Sequence, residues 1–150
     1  MTELPNGAVV RWSGEDSWFV ASDPYEHAIS IDEPEPIGRN HGPRPTDLLL
    51  AAAASCSGIS AVALFKKMRQ PVGTLTVRAS GERQPDWPKA YTSIRLDFEV
   101  GVTAEPNREL IEKAVRLAVT KYCPVSATIE MGDGAAHIDF FVTINTTGGA

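Results

Sequence analysis

Hydrophobic and polar positions alternate with a period of two along several stretches of this chain. AVVRWS (8–13), SWFVAS (17–22) and HAISID (27–32) read as strands. The turn signal Gly14-Glu15-Asp16 separates the first two, and the third follows Asp23-Pro24, so a small antiparallel meander is predicted. GTLTVRASGER (73–83) and AYTSIRLDFEVGV (90–102) alternate as well. In the second, Ile94, Leu96, Phe98 and Val100 share one face, and Thr92, Arg95, Asp97 and Glu99 lie off it. QPDWPK joins the two into a long hairpin, and HIDFFVTIN (137–145) reads as a final strand.

Two segments carry other periods. LLLAAAASCSGISAVALF (48–65) is apolar on nearly every face. The pattern predicts a helix from Thr46–Asp47 to about Arg69, stopped by Pro71, with Thr46 as N-cap and Asp47 favouring its positive end. A second helix is predicted over 106–121, with Pro106 at its first position. Its apolar stripe is Leu110, Ile111, Ala114, Val115, Leu117 and Ala118. CPVSATIEMGDG follows as a short helical turn. EPEPIGRNHGPRPT (33–46) is a loop with four prolines and two glycines, and TTGGA (146–150) is a frayed tail.

Three strands, a helix, two strands, a helix and a strand make an α+β chain, taken as one domain over 1–150. A single sheet covers one side of a helix that is apolar all round. The expected second cover is a partner subunit.

The composition narrows the functions. With 150 residues, 43% hydrophobic and 22% charged, the chain can bury a core. A net charge of −5 without a basic run argues against nucleic acid as a partner. MTELPNGAVVRW does not read as a signal peptide, and the apolar helix, broken by serines and Gly58, is not expected to span a bilayer. The expectation is a soluble, cytoplasmic protein without a membrane partner, whose two cysteines are thiols or a redox pair.

Those cysteines, Cys56 and Cys123, are the candidate chemistry. A cysteine inside an apolar helix can simply be a small packed hydrophobe. Against that, Ser55, Ser57 and Gly58 are poor helix-interior residues and leave room around the sulfur. Pro124 in KYCPVS breaks the backbone at Cys123. His41, Cys56 and Cys123 lack metal-ligand spacing, so zinc is not expected. His41 reads as a solvated loop histidine or a pocket-lining one, and His27 and His137 as strand residues. Phe65, Trp12, Trp18 and Trp87 read as core or interface. Ser55 and Ser57 lack the surroundings of a hydrolase nucleophile.

GPRPTDLLLAAAASCSGISAVALFKKMRQPV, then VRASGERQPDWPKAYTSIRLDFEV, IEKAVRLAVTKYCPVS and a closing strand resemble the OsmC/Ohr family. These are the osmotically inducible protein C and organic hydroperoxide resistance proteins, and the pattern is nearest the OsmC-like branch. The resemblance runs from about Val9 to Val142. It implies antiparallel sheets wrapped around long central helices in an intertwined homodimer. It also implies a cysteine-based peroxidase of oxidative-stress defence that reduces organic hydroperoxides.

Carried across, Cys56 matches the peroxidatic cysteine and Cys123 the resolving one, with an external dithiol, often a lipoyl protein, as reductant. Arg39 resembles the active-site arginine that would lower the Cys56 pKa; Arg44 is its substitute, and Arg11 reads as a strand-surface charge. The hydroperoxide resistance proteins carry a glutamate where this chain has Thr46, and Asp47 is the nearest carboxylate. That departure keeps open a catalytically weak protein that binds a small apolar ligand in the dimer cleft. An inert dimer with two core thiols is a third reading.

Overall fold

The computed structural model describes residues 6–147 of the chain. It divides into two compact units, Met1–Leu49 and Leu50–Ala150.

The first unit holds β1 (Val9–Trp12), β2 (Phe19–Ser22) and β3 (Ala28–Ile31), an antiparallel meander in that order. Partners Val10↔Ala21, Trp12↔Phe19, Phe19↔Ile31 and Ala21↔Ile29 gather those side chains on one face. That face is apolar and open, with Trp12 59% exposed. β2 starts at Phe19 and not at Ser17, because Ser17 turns its hydroxyl to Asp32 and leaves the ladder. The proline-rich loop has no regular structure, as expected.

α1 (Pro45–Lys67) begins earlier than the sequence suggested, so Thr46 lies inside its first turn and not at the cap. Asp47 reaches back to the Arg44 backbone N–H at 3.4 Å, the reciprocal half of a capping box. By length and composition alone α1 would pass for a membrane span, since serine, cysteine and glycine dilute its hydropathy only slightly, but the core helix of a soluble protein passes the same test. The single chain covers one side of α1 and leaves open the side for which a partner subunit was the expected cover. Ala53, Ala54, Ser57, Gly58, Ala61 and Phe65 form a buried stripe, whereas Ala51, Ser55 and Ile59 on the other side are exposed.

In the second unit β4 (Val72–Arg83) and β5 (Tyr91–Val102) form the long hairpin, with Val77 opposite Phe98. Ile94, Leu96, Phe98 and Val100 are all buried, as their shared face required. α2 (Arg108–Leu117) is capped by Asn107, whose Oδ1 accepts the Leu110 N–H at 3.2 Å; Pro106 therefore sits before the cap and not at the first helical position. A π-helical turn, Ala118–Tyr122, continues it, and α3 (Pro124–Ile129) follows. This long connection returns β6 (His137–Thr146) beside β5 in parallel, so the second sheet is mixed. Ile111, Ala114, Val115, Ala118 and Val119 cover the sheet together with the α1 stripe. Thr147 bonds Val102 O through its N–H and its hydroxyl, both at 2.9 Å; the rest of the expected tail, 148–150, lies outside the described residues.

Candidate active site

Both cysteines belong to the second unit and both are free thiols. Cys56 sits in mid-α1, half-buried, beside the buried stripe. Cys123 is reached through the π-helical turn and is 2% exposed. Proline cannot follow a helical residue comfortably, and Cys123 is accordingly extended, with φ −88° and ψ 106°. That conformation makes Cys123 the N-cap of α3, its Sγ accepting the Ser126 N–H at 3.2 Å. The two thiols are near enough to act on each other's ionisation, and the Val125 backbone N–H acts on Cys56.

Two hydroxyls complete the cluster. Ser57 Oγ and Ser126 Oγ lie 3.4 Å apart, both with no exposed surface, and both hydrogen-bond to Cys123. Among the described residues, the buried polar side chains other than cysteine are Asp32, Ser57 and Ser126. Two of these three therefore attend one sulfur. A buried hydroxyl without a partner is costly, and these are satisfied by each other and by the thiol.

The thiols are electrostatically unequal. Burial pushes the Cys56 pKa up, the Val125 N–H offsets part of this, and the neighbouring Cys123 adds to the rise. Burial also opposes ionisation of Cys123, but the Ser126 and Ser57 hydroxyls, the Ser126 N–H and the Cys56 thiol together bring its pKa below the ordinary thiol value. Of the two thiols, Cys123 is thus the one more readily ionised. The reverse order was expected, with an arginine lowering Cys56.

Arg39 belongs to the first unit, where its Nε pairs with Asp16 at 2.9 Å. Its side chain is 68% exposed, so the pair is a weak tether. Its backbone is held more firmly. The buried carboxylate of Asp32 accepts the backbone N–H groups of Glu33, Arg39 and His41, the Ser17 hydroxyl and His41 Nδ1. The Ser17 hydroxyl, with His41 next after opposing burial, holds the Asp32 carboxyl far below the usual carboxylate range. An ionised carboxylate only accepts, so Nδ1 of His41 carries its proton.

His41 also stacks on Trp18, ring centroids 4.2 Å apart. It is an exposed loop residue, as one of the two readings had it, and it is anchored by Asp32 and Trp18. Arg44 and Asp47 form a two-pronged ion pair with bonds of 2.9 and 2.8 Å, and the Arg44 guanidinium holds the Asp47 carboxyl low. Thr46 stands beside them in the first turn.

Sequence reasoning missed Asp32. An acidic residue closing an apolar strand, ahead of a loop with Gly38 and Gly42, was the available signal. Ser126 was quoted in a motif but given no role, and Ser57 was noted only as unusual. No group of His, Cys, Asp or Glu side chains fit to hold a metal ion occurs among the described residues.

On another face of α1 from Cys56, α1 and β4 border an open apolar groove of ≈ 630 Å³. Ala54, Gly58, Ile59, Val62, Leu75 and Val77 line it, and Ile59 is 73% exposed.

Comparison with known proteins gives consistent results. Residues 38–133 match the family model described as OsmC-like protein. Protein YhfA of Escherichia coli (strain K12) is 30% identical over 130 residues, which covers 87% of this chain and 93% of that protein. The crystal structure of a hypothetical protein from Aquifex aeolicus VF5 superposes with a TM-score of 0.74 at 26% identity, covering 93% of this chain and 96% of that one. An organic hydroperoxide resistance protein OsmC from Legionella pneumophila shares the fold, with a TM-score of 0.62 at 15% identity over 93% and 96% of the two chains.

Proposed function

The chain belongs to the OsmC-like protein family, and from that premise we propose that it is a thiol-dependent peroxidase reducing organic hydroperoxides. The observation that carries the reading is the neighbouring Cys56–Cys123 pair in an apolar setting. The hydroperoxide resistance protein with the same fold supports the substrate class.

The chemistry balances with the groups present. With Cys123 ionised, the Cys56 sulfur attacks the distal peroxide oxygen while its proton passes to the Cys123 thiolate. The S–O bond forms, the O–O bond breaks, and the departing alkoxide takes the proton from Cys123 and leaves as alcohol. Cys56 is now a sulfenic acid, two electrons more oxidised. Cys123 thiolate attacks its sulfur, the S–S bond forms and the S–O bond breaks, and the departing hydroxide takes a proton from solvent to become water. An external dithiol, free or on a lipoyl protein, reopens the disulfide by two thiol exchanges. Arg39 supplies a guanidinium for the peroxide or the thiolate in this scheme. No metal or organic cofactor takes part, and the reaction belongs in the cytoplasm.

The working form we propose is a homodimer. The open apolar faces of the β1–β3 sheet and of α1 are each consistent with cover by a second copy.

A second reading has its own support. The apolar groove between α1 and β4 and the presence of Thr46 where the relatives' glutamate is expected favour a protein that binds a small apolar ligand with little turnover. Turnover of cumene hydroperoxide with dithiothreitol separates the two. The peroxidase reading expects turnover in the wild type and none in Cys56→Ser. Tight binding of an apolar compound with no turnover in either protein favours the second reading.

A further inference from the structure

Peroxide chemistry at Cys56 leaves unexplained why two serines are buried beside the other sulfur. Ser57 and Ser126 come from α1 and α3, elements far apart in sequence, and their hydroxyls converge at 3.4 Å with no exposed surface. Alanine would fill either position without a buried polar atom. The Ser126 N–H already reaches Cys123 at 3.2 Å, so the hydroxyls add further donors to a sulfur that has one.

We infer that Ser57 and Ser126 are positioning residues that stabilise the thiolate of Cys123 and so direct the external reductant to Cys56. The inference rests on the peroxidase reading and deepens it by naming the sulfur at which reduction begins. In the disulfide, the incoming thiolate attacks one sulfur and the other leaves with the bonding pair. The better leaving group is the thiolate with the lower pKa. The Ser126 N–H and the hydroxyl proton left over from the Ser57–Ser126 bond receive the charge on Cys123, and its burial keeps attack away from it. Cys56 is the more open sulfur and has only the Val125 N–H as backbone donor. Attack at Cys56 Sγ therefore forms the mixed disulfide there, breaks the S–S bond and releases Cys123 as thiolate. The second thiol of the reductant then attacks the reductant's own sulfur in the mixed disulfide. Cys56 leaves as thiolate, takes up a proton, and the reductant departs as its disulfide.

The test uses the disulfide prepared with diamide, so no peroxide turnover is needed. The oxidised full-length chain is treated with a monothiol, quenched with acid, and the adduct is located by peptide mass spectrometry. The wild type is expected to carry it on Cys56. In Ser57→Ala and Ser126→Ala the ratio of Cys56 to Cys123 adduct is expected to fall about tenfold, the scale of one hydrogen bond to a charged acceptor. Ser126→Thr, which keeps a hydroxyl, should retain the wild-type ratio. The Cβ carbon shift of Cys123, followed against pH in the reduced proteins, should move to a higher midpoint in both alanine variants. Adduct on Cys123 in the wild type, or a ratio and midpoint unchanged by both alanine variants, overturns the inference and leaves the peroxidase reading intact. Failure of diamide to link Cys56 to Cys123 overturns both. Lack of peroxide turnover with the expected adduct pattern overturns the peroxidase reading alone.

Discussion

His41 holds its Nδ1 2.8 Å from Oδ2 of Asp32, a carboxylate with 1% of its surface exposed. The same carboxylate gathers the backbone of the loop that carries Arg39. Because its folded pKa is depressed, Asp32 contributes stability that is complete above the pKa of an unfolded aspartate and is lost as pH falls toward the folded value. The Tm of the wild type should therefore fall below about pH 4. Asp32→Asn should be less stable at neutrality and lose most of that acid dependence. Parallel pH profiles for the two proteins would refute the role given to Asp32.

Gly38 is tied to the same cradle. A Cβ there would collide with Asp32 Oδ1, the Glu33 carbonyl and Ser17 Oγ. Two of those are polar partners that cannot move without breaking bonds to the loop. Gly38→Ala should cost about 1–3 kcal/mol, the usual range for overpacking, and appear as a lowered Tm. An unchanged Tm would mean the loop is held more loosely than its hydrogen bonds imply.

Ile59 tests the dimer. It is exposed on the groove side of α1, so Ile59→Glu should leave the fold of the single chain intact. In a dimer that covers this face it would bury an unpaired carboxylate, which costs several kcal/mol. Sedimentation should show the wild type as a dimer and the variant shifted to monomer. Identical sedimentation of both would remove α1 from the interface.

Cys123→Ser removes the resolving sulfur and keeps a buried polar side chain. With excess cumene hydroperoxide it should complete one turnover and then accumulate sulfinic and sulfonic acid at Cys56, visible as added oxygen mass. Continued turnover with an intact thiol at Cys56 would contradict the assignment.

The parts of this structure set by short-range pattern were legible in the sequence. Alternation through Ile94, Leu96, Phe98 and Val100 predicted the buried face of β5, and the apolar run 48–65 predicted α1. Pro124 announced the break at Cys123, since proline constrains the residue before it. Relationships between distant residues were not legible. Nothing in HIDFFVTIN says that β6 lies parallel to β5, because periodicity gives a strand's faces and not its neighbour. The Asp32–His41 contact depends on how a loop closes. The order of the two thiol pKa values depends on Ser57 and Ser126 meeting Cys123 across the core, and no local spacing encodes that.

The central claim is that Cys56 and Cys123 exchange electrons with a peroxide as a pair. The most direct measurement is intact-mass and peptide analysis after one equivalent of cumene hydroperoxide is added to the fully reduced protein. The expected result is a Cys56–Cys123 disulfide within one chain, two hydrogens lighter, with one equivalent of cumyl alcohol released. Two thiols still titratable after excess peroxide, with no alcohol formed, would contradict it.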